Sequence, residues 1–171
     1  MNFIVCVKQV PDTTEVEVDR ESGTIIREGV PSILNPFDEF ALNEAIRVKE
    51  KTGGRITVLS MGPPQAQEAL RKCLAIGADE AILLTDQAFA GSDTWATSFT
   101  LARAVEKLGK YDLIFCGQQA TDGDTAQVGP ELARQLNIPQ MTYVESIEEI
   151  DDGSVICKKE TDGGYQRVRS G

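Results

Sequence analysis

The stretch best suited to chemistry is Gly117-Gln118-Gln119-Ala120-Thr121-Asp122-Gly123-Asp124-Thr125-Ala126-Gln127-Val128-Gly129-Pro130. It mixes small residues with Gln, Asp and Thr between an apolar run and a helical pattern, so it can hydrogen-bond a nucleotide while letting it come close to the backbone. The helix start beyond it offers free N–H groups and a positive dipole end, which together hold phosphate without a lysine. It is not a Walker loop, since no Gly-Lys-Ser/Thr follows. On composition alone, Asp122 and Asp124 read first as turn and cap residues of a strand-to-helix loop. A metal-binding or acid/base carboxylate pair fits less well, because no third acidic ligand lies nearby.

Three shorter stretches carry candidate contacts. Lys8 directly follows an apolar run and can bring one positive charge to a phosphate. Asn35-Pro36-Phe37-Asp38 reads as a helix start in which Asn35 caps the first turn; in a second reading, Asn35 or Asp38 meets an adenine or ribose edge. Gly62-Pro63-Pro64 reads as a strand-to-helix turn that leaves Met61 beside any nucleotide at that end. The chain has no histidine, which removes imidazole acid/base catalysis, histidine metal ligands and Ser-His or Cys-His nucleophiles. Cys6, Cys73, Cys116 and Cys157 include no Cys-x-x-Cys pair, so they read as reduced structural thiols of a cytoplasmic protein rather than a zinc or iron–sulfur site.

The elements that must position these residues follow from the pattern. Phe3 to Val7, Ile56 to Leu59, Ala81 to Leu84 and Leu113 to Cys116 are near-continuous apolar runs, as in parallel strands buried on both faces. Helices are predicted from Asn35 to Gly53-Gly54 with a stripe of Phe37, Ala41, Ala45 and Val48, from about Gln65 to Ala75, and from about Thr94 to Leu108. A fourth starts between Thr125 and Pro130 and ends before Pro139. Val16 to Ile26 reads as a β-hairpin inserted in the first crossover. Beyond Pro139 only strands are predicted, at Met141 to Val144, Ser154 to Lys158 and Tyr165 to Val168. Alternating strands and helices predict a doubly wound, mostly parallel α/β sheet with helices on both faces. Ligands of such sheets sit at the carboxyl ends of the strands, near the topological switch point.

The 171 residues, 41% hydrophobic, suffice for one domain with a sizeable core. Seventeen Lys and Arg against 27 Asp and Glu give a net charge of -10, which disfavours nucleic acid and anionic lipid as partners. No apolar stretch approaches a membrane span and no signal peptide is read at the N-terminus.

Four stretches in order now define a pattern: Cys6-Val7-Lys8-Gln9-Val10-Pro11-Asp12; Asn35-Pro36-Phe37-Asp38-Glu39-Phe40-Ala41 with Glu44-Ala45; Met61-Gly62-Pro63 with Ala75-Ile76-Gly77-Ala78-Asp79; and Gly117 to Pro130. The sequence resembles the beta subunit of electron-transfer flavoproteins from Phe3 to the last residue, with the loop at Gly123 to Pro130 similar to that of electron-bifurcating members. The resemblance implies a single adenine-nucleotide-binding, Rossmann-like domain over residues 1–171, lacking the C-terminal part of the family chain. It implies FAD in the site, or AMP in non-bifurcating members. The residues that match the family's nucleotide contacts are Cys6, Val7, Lys8, Asn35, Phe37, Asp38, Met61, Gly117, Ala120, Thr121, Asp122, Gly123, Asp124, Thr125, Ala126, Gln127 and Val128. Two positions depart from the family: Gln118 stands where a basic residue is frequent, and Thr121 where an aliphatic one is.

The implied partners are the alpha subunit with its own FAD, an acyl-CoA or other dehydrogenase, and, for bifurcation, NADH with ferredoxin or flavodoxin. The chain would then be an electron carrier that oxidises NADH only within a bifurcating complex, with the flavin rather than a side chain doing the redox work. Two other classes stay open on the residues themselves: a stand-alone adenine-nucleotide sensor, and a nucleotide-independent scaffold whose acidic surface meets a basic partner.

Overall fold

The computed structural model describes residues 1–12, 31–151 and 153–171, and between 13 and 30 only two short strands. Its centre is a four-stranded parallel sheet built from β1 (Asn2–Cys6), β6 (Arg55–Met61), β7 (Glu80–Leu84) and β8 (Leu113–Cys116), in the order β7-β6-β1-β8. The chain steps outward from β1 through β6 to β7 and then returns to the other side of β1 as β8. That reversal puts the switch point between β1 and β8, where Cys6 and Cys116 are register partners.

Helices cover both faces, as the pattern predicts. One face packs Phe3, Val5, Ile56 and Val58 against Leu42, Ala45 and Val48 of α1 (Pro36–Thr52) and Ala69, Leu70 and Cys73 of α2 (Gln67–Ile76). The other packs Ile4, Cys6 and Leu59 against Leu101, Ala102 and Val105 of α3 (Thr94–Leu108) and Leu132 of α4 (Val128–Leu136). Period-two alternation along β1 thus feeds two separate cores.

Helix ends follow local chemistry. Asp93 caps α3 by accepting from the Ala96 N–H at 2.8 Å. Gly77 ends α2 at φ 146°, a backbone conformation that L side chains rarely adopt. Asn137, left-handed at φ 53°, ends α4 two residues ahead of Pro139.

Three expectations are corrected. The buried stripe of α1 is Asp38, Leu42, Ala45 and Val48; Phe37 and Ala41 are only partly buried, because the first turn points a carboxylate, not a phenyl ring, inward. A 3₁₀ turn at Pro64–Ala66 precedes α2 and delays its start to Gln67. The first late strand is β9 (Val144–Asp151), not Met141 to Val144. Its Glu145, Glu148 and Glu149 mask a half-exposed strand, and register shifts in its pairing break strict alternation.

β9 forms an antiparallel sheet with β10 (Ser154–Thr161) and β11 (Gly164–Ser170) in the order β11-β10-β9, and Ile147 and Cys157 dock it on the α1 core. Of the expected hairpin at Val16 to Ile26, β3 (Glu17–Val18) and β4 (Ile25–Ile26) pair antiparallel, and its remaining residues lie outside the described ones. β2 (Gln9–Pro11) and β5 (Ser32–Leu34) also pair antiparallel, and this returns the chain to the start of α1 beside Lys8. Among the described residues no helix is long and apolar enough to cross a membrane.

Candidate functional site

Three segments meet at the carboxyl end of the sheet: residues 6–8 after β1, 35–38 entering α1, and 117–127 between β8 and α4. Asn35 joins all three. Its N–H donates to the Lys8 carbonyl at 2.9 Å, its Nδ2 to the Gln119 carbonyl at 2.8 Å, and its Oδ1 accepts from the Thr121 N–H at 3.3 Å. The expected side-chain cap on α1 is absent; the Asn35 main-chain carbonyl receives the N–H groups of Asp38 and Glu39 instead. Asn35 is 1% exposed, so its amide is committed to holding the 117–127 loop.

Asp38 is the second tie. Its Oδ2 accepts from the Lys8 N–H at 2.8 Å, and the neighbouring Asn35 side chain and Gly117 N–H also favour its ionised form. Burial outweighs these influences and pushes its pKa up from 3.8 to about 6. An ionised carboxylate therefore sits, at a desolvation cost, under the switch point at neutral pH, a tension found more often at working sites than in cores.

Gly117 is where β8 passes α1. A β-carbon there would lie 2.7 Å from the Phe37 carbonyl carbon and 2.8 Å from the Asp38 nitrogen, and would overlap Asp38 Oδ1. Only glycine allows this approach. Gly123, by contrast, faces open space.

Around this buried frame the loop is open. Lys8 Nζ pairs with both oxygens of Asp122 at 2.8 Å, and Gln119 donates to Asp124. Asp124 and Ala126 hold φ of 55° and 54°, a sparsely populated region for residues with a β-carbon that recurs where a backbone is shaped for a ligand. Val128 and Gly129 open α4 with N–H groups that have no partner within the helix, and Pro130 brings none. The arrangement is a strained, small-residue loop ending on a helix N-terminus.

The expected residues fall into two groups. Cys6, Val7, Lys8, Asn35, Asp38, Gly117, Ala120 to Thr125 and Gln127 to Val128 lie at the ends of β1 and β8, at the start of α1 or in the loop. Met61 ends β6, one strand away, and packs on the α3/α4 core. Phe37, Gly117 and Ala126 also border a cavity of about 1170 Å³ between α1, β8 and the β9–β10 hairpin. Among the residues not foreseen, Thr94 Oγ1 lies 3.2 Å from Gln127 Oε1 and from Glu131 Oε1, joining α3 to the loop. Gln119 was unforeseen as the acceptor for Asn35. Its signal was its place in the loop, but a main-chain acceptor leaves no trace in residue type. Among the described residues no three His, Cys, Asp or Glu converge to hold a metal.

Comparison with known proteins decides the lineage. The family model described as "Electron transfer flavoprotein domain" matches residues 22–170. The chain belongs to this electron transfer flavoprotein domain family. It is 59% identical over 168 residues to electron transfer flavoprotein subunit beta of Thermoanaerobacterium thermosaccharolyticum, covering 98% of this chain and 64% of that protein. It is 56% identical over 169 residues to the caffeyl-CoA reductase-Etf complex subunit CarD of Acetobacterium woodii, and 49% identical over 176 residues to the protein FixA of Sinorhizobium fredii. These cover 98% and 99% of this chain and 64% and 62% of the respective relatives. The chain thus spans somewhat less than two thirds of the length of the electron transfer flavoprotein relatives it matches.

Proposed function

We propose that this chain carries the nucleotide site of a beta-type subunit of an electron transfer flavoprotein and holds FAD there. The observation that carries the reading is the convergence of Lys8, the Asn35–Asp38 segment and the strained 117–127 loop at the switch point. The residues fit the group: Gly123 leaves open space, Val128 and Gly129 offer N–H groups for a diphosphate, and the loop presents small residues for close backbone approach.

Within this reading Ala120 to Val128 cradle the nucleotide, with Lys8, Val7 and Cys6 forming the opposing wall. Phe37 and Met61 flank it. Asn35 and Asp38, buried and bonded to protein, hold the wall and the cradle together. The bound flavin would supply the electron chemistry; the protein supplies position, burial and hydrogen bonds that set its potential. Lys8 neutralises Asp122, so a phosphate arriving at Lys8 competes with that carboxylate for the same cation.

The electron path we propose runs from NADH or a dehydrogenase to a flavin on an alpha-type partner subunit, by bifurcation when ferredoxin or flavodoxin is the second acceptor. The relative named for a caffeyl-CoA reductase-Etf complex supports assembly with a reductase. The alternative nucleotide is AMP, with the chain acting as a simple carrier subunit.

The test is to purify the chain with its alpha-type partner, denature the complex and identify the released nucleotides by chromatography. Two FAD per heterodimer supports the reading. One FAD with one AMP selects the simple carrier, and no nucleotide attributable to this chain overturns the site.

A further inference from the structure

Cys6 and Cys116 close the two strands that flank the switch point, and they are direct register partners in a parallel pairing. Both side chains lie on the α3/α4 face of the sheet, packed in the same cluster. Neighbouring parallel strands run about 4.8 Å apart, inside the Cα separation a disulfide spans but slightly beyond its usual Cβ separation of about 3.5–4.5 Å. A bond between these sulfurs must therefore draw the strand ends together, and such strained bridges are the readily reduced kind.

The surroundings convert that small movement into a change at the loop. Cys116 is followed by Gly117, which has no slack against Phe37 and Asp38. On the other face, Gly129 in the first turn of α4 is so placed that a β-carbon on it would lie 3.4 Å from Cys116 Cβ and 3.8 Å from its sulfur. Any inward shift of Cys116 is passed to the Asp38 tie on one side and to the N-terminus of α4 on the other.

We propose that Cys6 and Cys116 form a reversible dithiol–disulfide site beneath the nucleotide loop, oxidised by two-electron thiol oxidants of the azo or disulfide class, and that the bridge loosens the loop's hold on its nucleotide. Cys116 is partly exposed and borders the open cavity beside β8, so it meets the oxidant first; buried Cys6 resolves the adduct. With an azo oxidant, the Cys116 S–H adds across the N=N bond, the Cys6 sulfur displaces the reagent from Cys116, and the S–S bond forms. Both thiol hydrogens and two electrons end on the reagent as a hydrazine. The neighbouring Cys116 thiol and burial push the Cys6 pKa up and hold it protonated, which makes the second step slow.

The effect on nucleotide rests on the function proposed above, whereas the bridge does not, and the experiment separates them. The protein carrying Cys73→Ala and Cys157→Ala is treated with diamide and digested, and linked peptides are identified by mass. Hydrogen exchange of residues 117–129 and affinity for AMP are measured before and after, and again after dithiothreitol. The expected result is a Cys6–Cys116 peptide that has lost two hydrogens, faster exchange in the loop, and a fall in AMP affinity of about fivefold or more that dithiothreitol reverses. In Cys116→Ala, diamide should change neither exchange nor affinity. Absence of the linked peptide, or its presence with unchanged loop exchange, overturns the proposal. A bridge with faster loop exchange in a protein that binds no AMP or FAD in either state instead overturns the nucleotide reading and leaves the dithiol site standing.

Discussion

Beside the ends of β1 and β8 two polar side chains that join separate segments are buried: Asn35 is 1% exposed and Asp38 6%. On the β9–β11 sheet Arg167 reaches Glu148 and Glu149, and Lys158 reaches Glu145, from largely exposed positions. Lys158 also lies 3.8 Å over the Tyr165 ring. Both regions use charged and polar groups, but only around Asn35 and Asp38 has water been removed. A hydrogen bond lost there leaves a desolvated partner without compensation, whereas an ion pair lost on the sheet is replaced by water. Polar residues fix geometry in proportion to their burial, and the ends of β1 and β8 are where this chain has committed that rigidity.

Gly117→Val should break the contrast most severely. Its side chain collides with main-chain atoms of Phe37 and Asp38 as well as with the Asp38 carboxylate, so a loss of about 3 kcal/mol or more in urea unfolding is expected, together with loss of nucleotide.

The next effect comes from Asp38. Its pKa is near 3.8 in the unfolded chain and about 6 when folded; a carboxyl with a raised folded pKa adds stability that is full below 3.8 and lost as pH rises through 6. Stability should therefore fall by on the order of 2 kcal/mol across that window relative to Asp38→Asn, in which the slope is removed. Unfolding curves at several pH values would show this; identical slopes in both proteins would exclude it.

Asn35→Ala should cost about 2 kcal/mol by leaving the Gln119 carbonyl and Thr121 N–H without their partner, and should increase hydrogen exchange at residues 119–124 more than elsewhere. The smallest effect belongs to the comparison region. Arg167→Ala is expected to leave stability almost unchanged, and to matter less still at high salt, despite its two carboxylate partners. A larger loss from Arg167 than from Asn35 would invert the comparison.

Much of the frame was readable from residues because its causes are local or periodic. The four apolar runs became the four central strands, and Gly53, Gly77 and Gly109 follow the last residues of three helices. The loop after Cys116 stood out because its composition suits neither a strand nor a helix. Three features escaped for physical reasons. Asn35 sits where a cap belongs, and residue type does not reveal that its amide turns to a segment 84 residues away. Asp38 reads as a first-turn dipole partner, and its burial depends on β8 arriving beside it. β9 was misplaced because its acidic residues hide a strand that buries little more than Ile147.

The pairing of β1 with β8 has a consequence for how the molecule assembles. These strands come together only after a segment on the order of a hundred residues has been closed into a loop, as the 110-residue separation between Asn2 and its partner Asp112 shows. The β1–β6 and β6–β7 pairings span much shorter stretches of chain and have less closure entropy to overcome. The crevice between β1 and β8 is therefore the natural last event of folding. A nucleotide that bridges it would leave the rate of folding almost unchanged and act chiefly by slowing unfolding, so that the ligand becomes a kinetic lock on the native state.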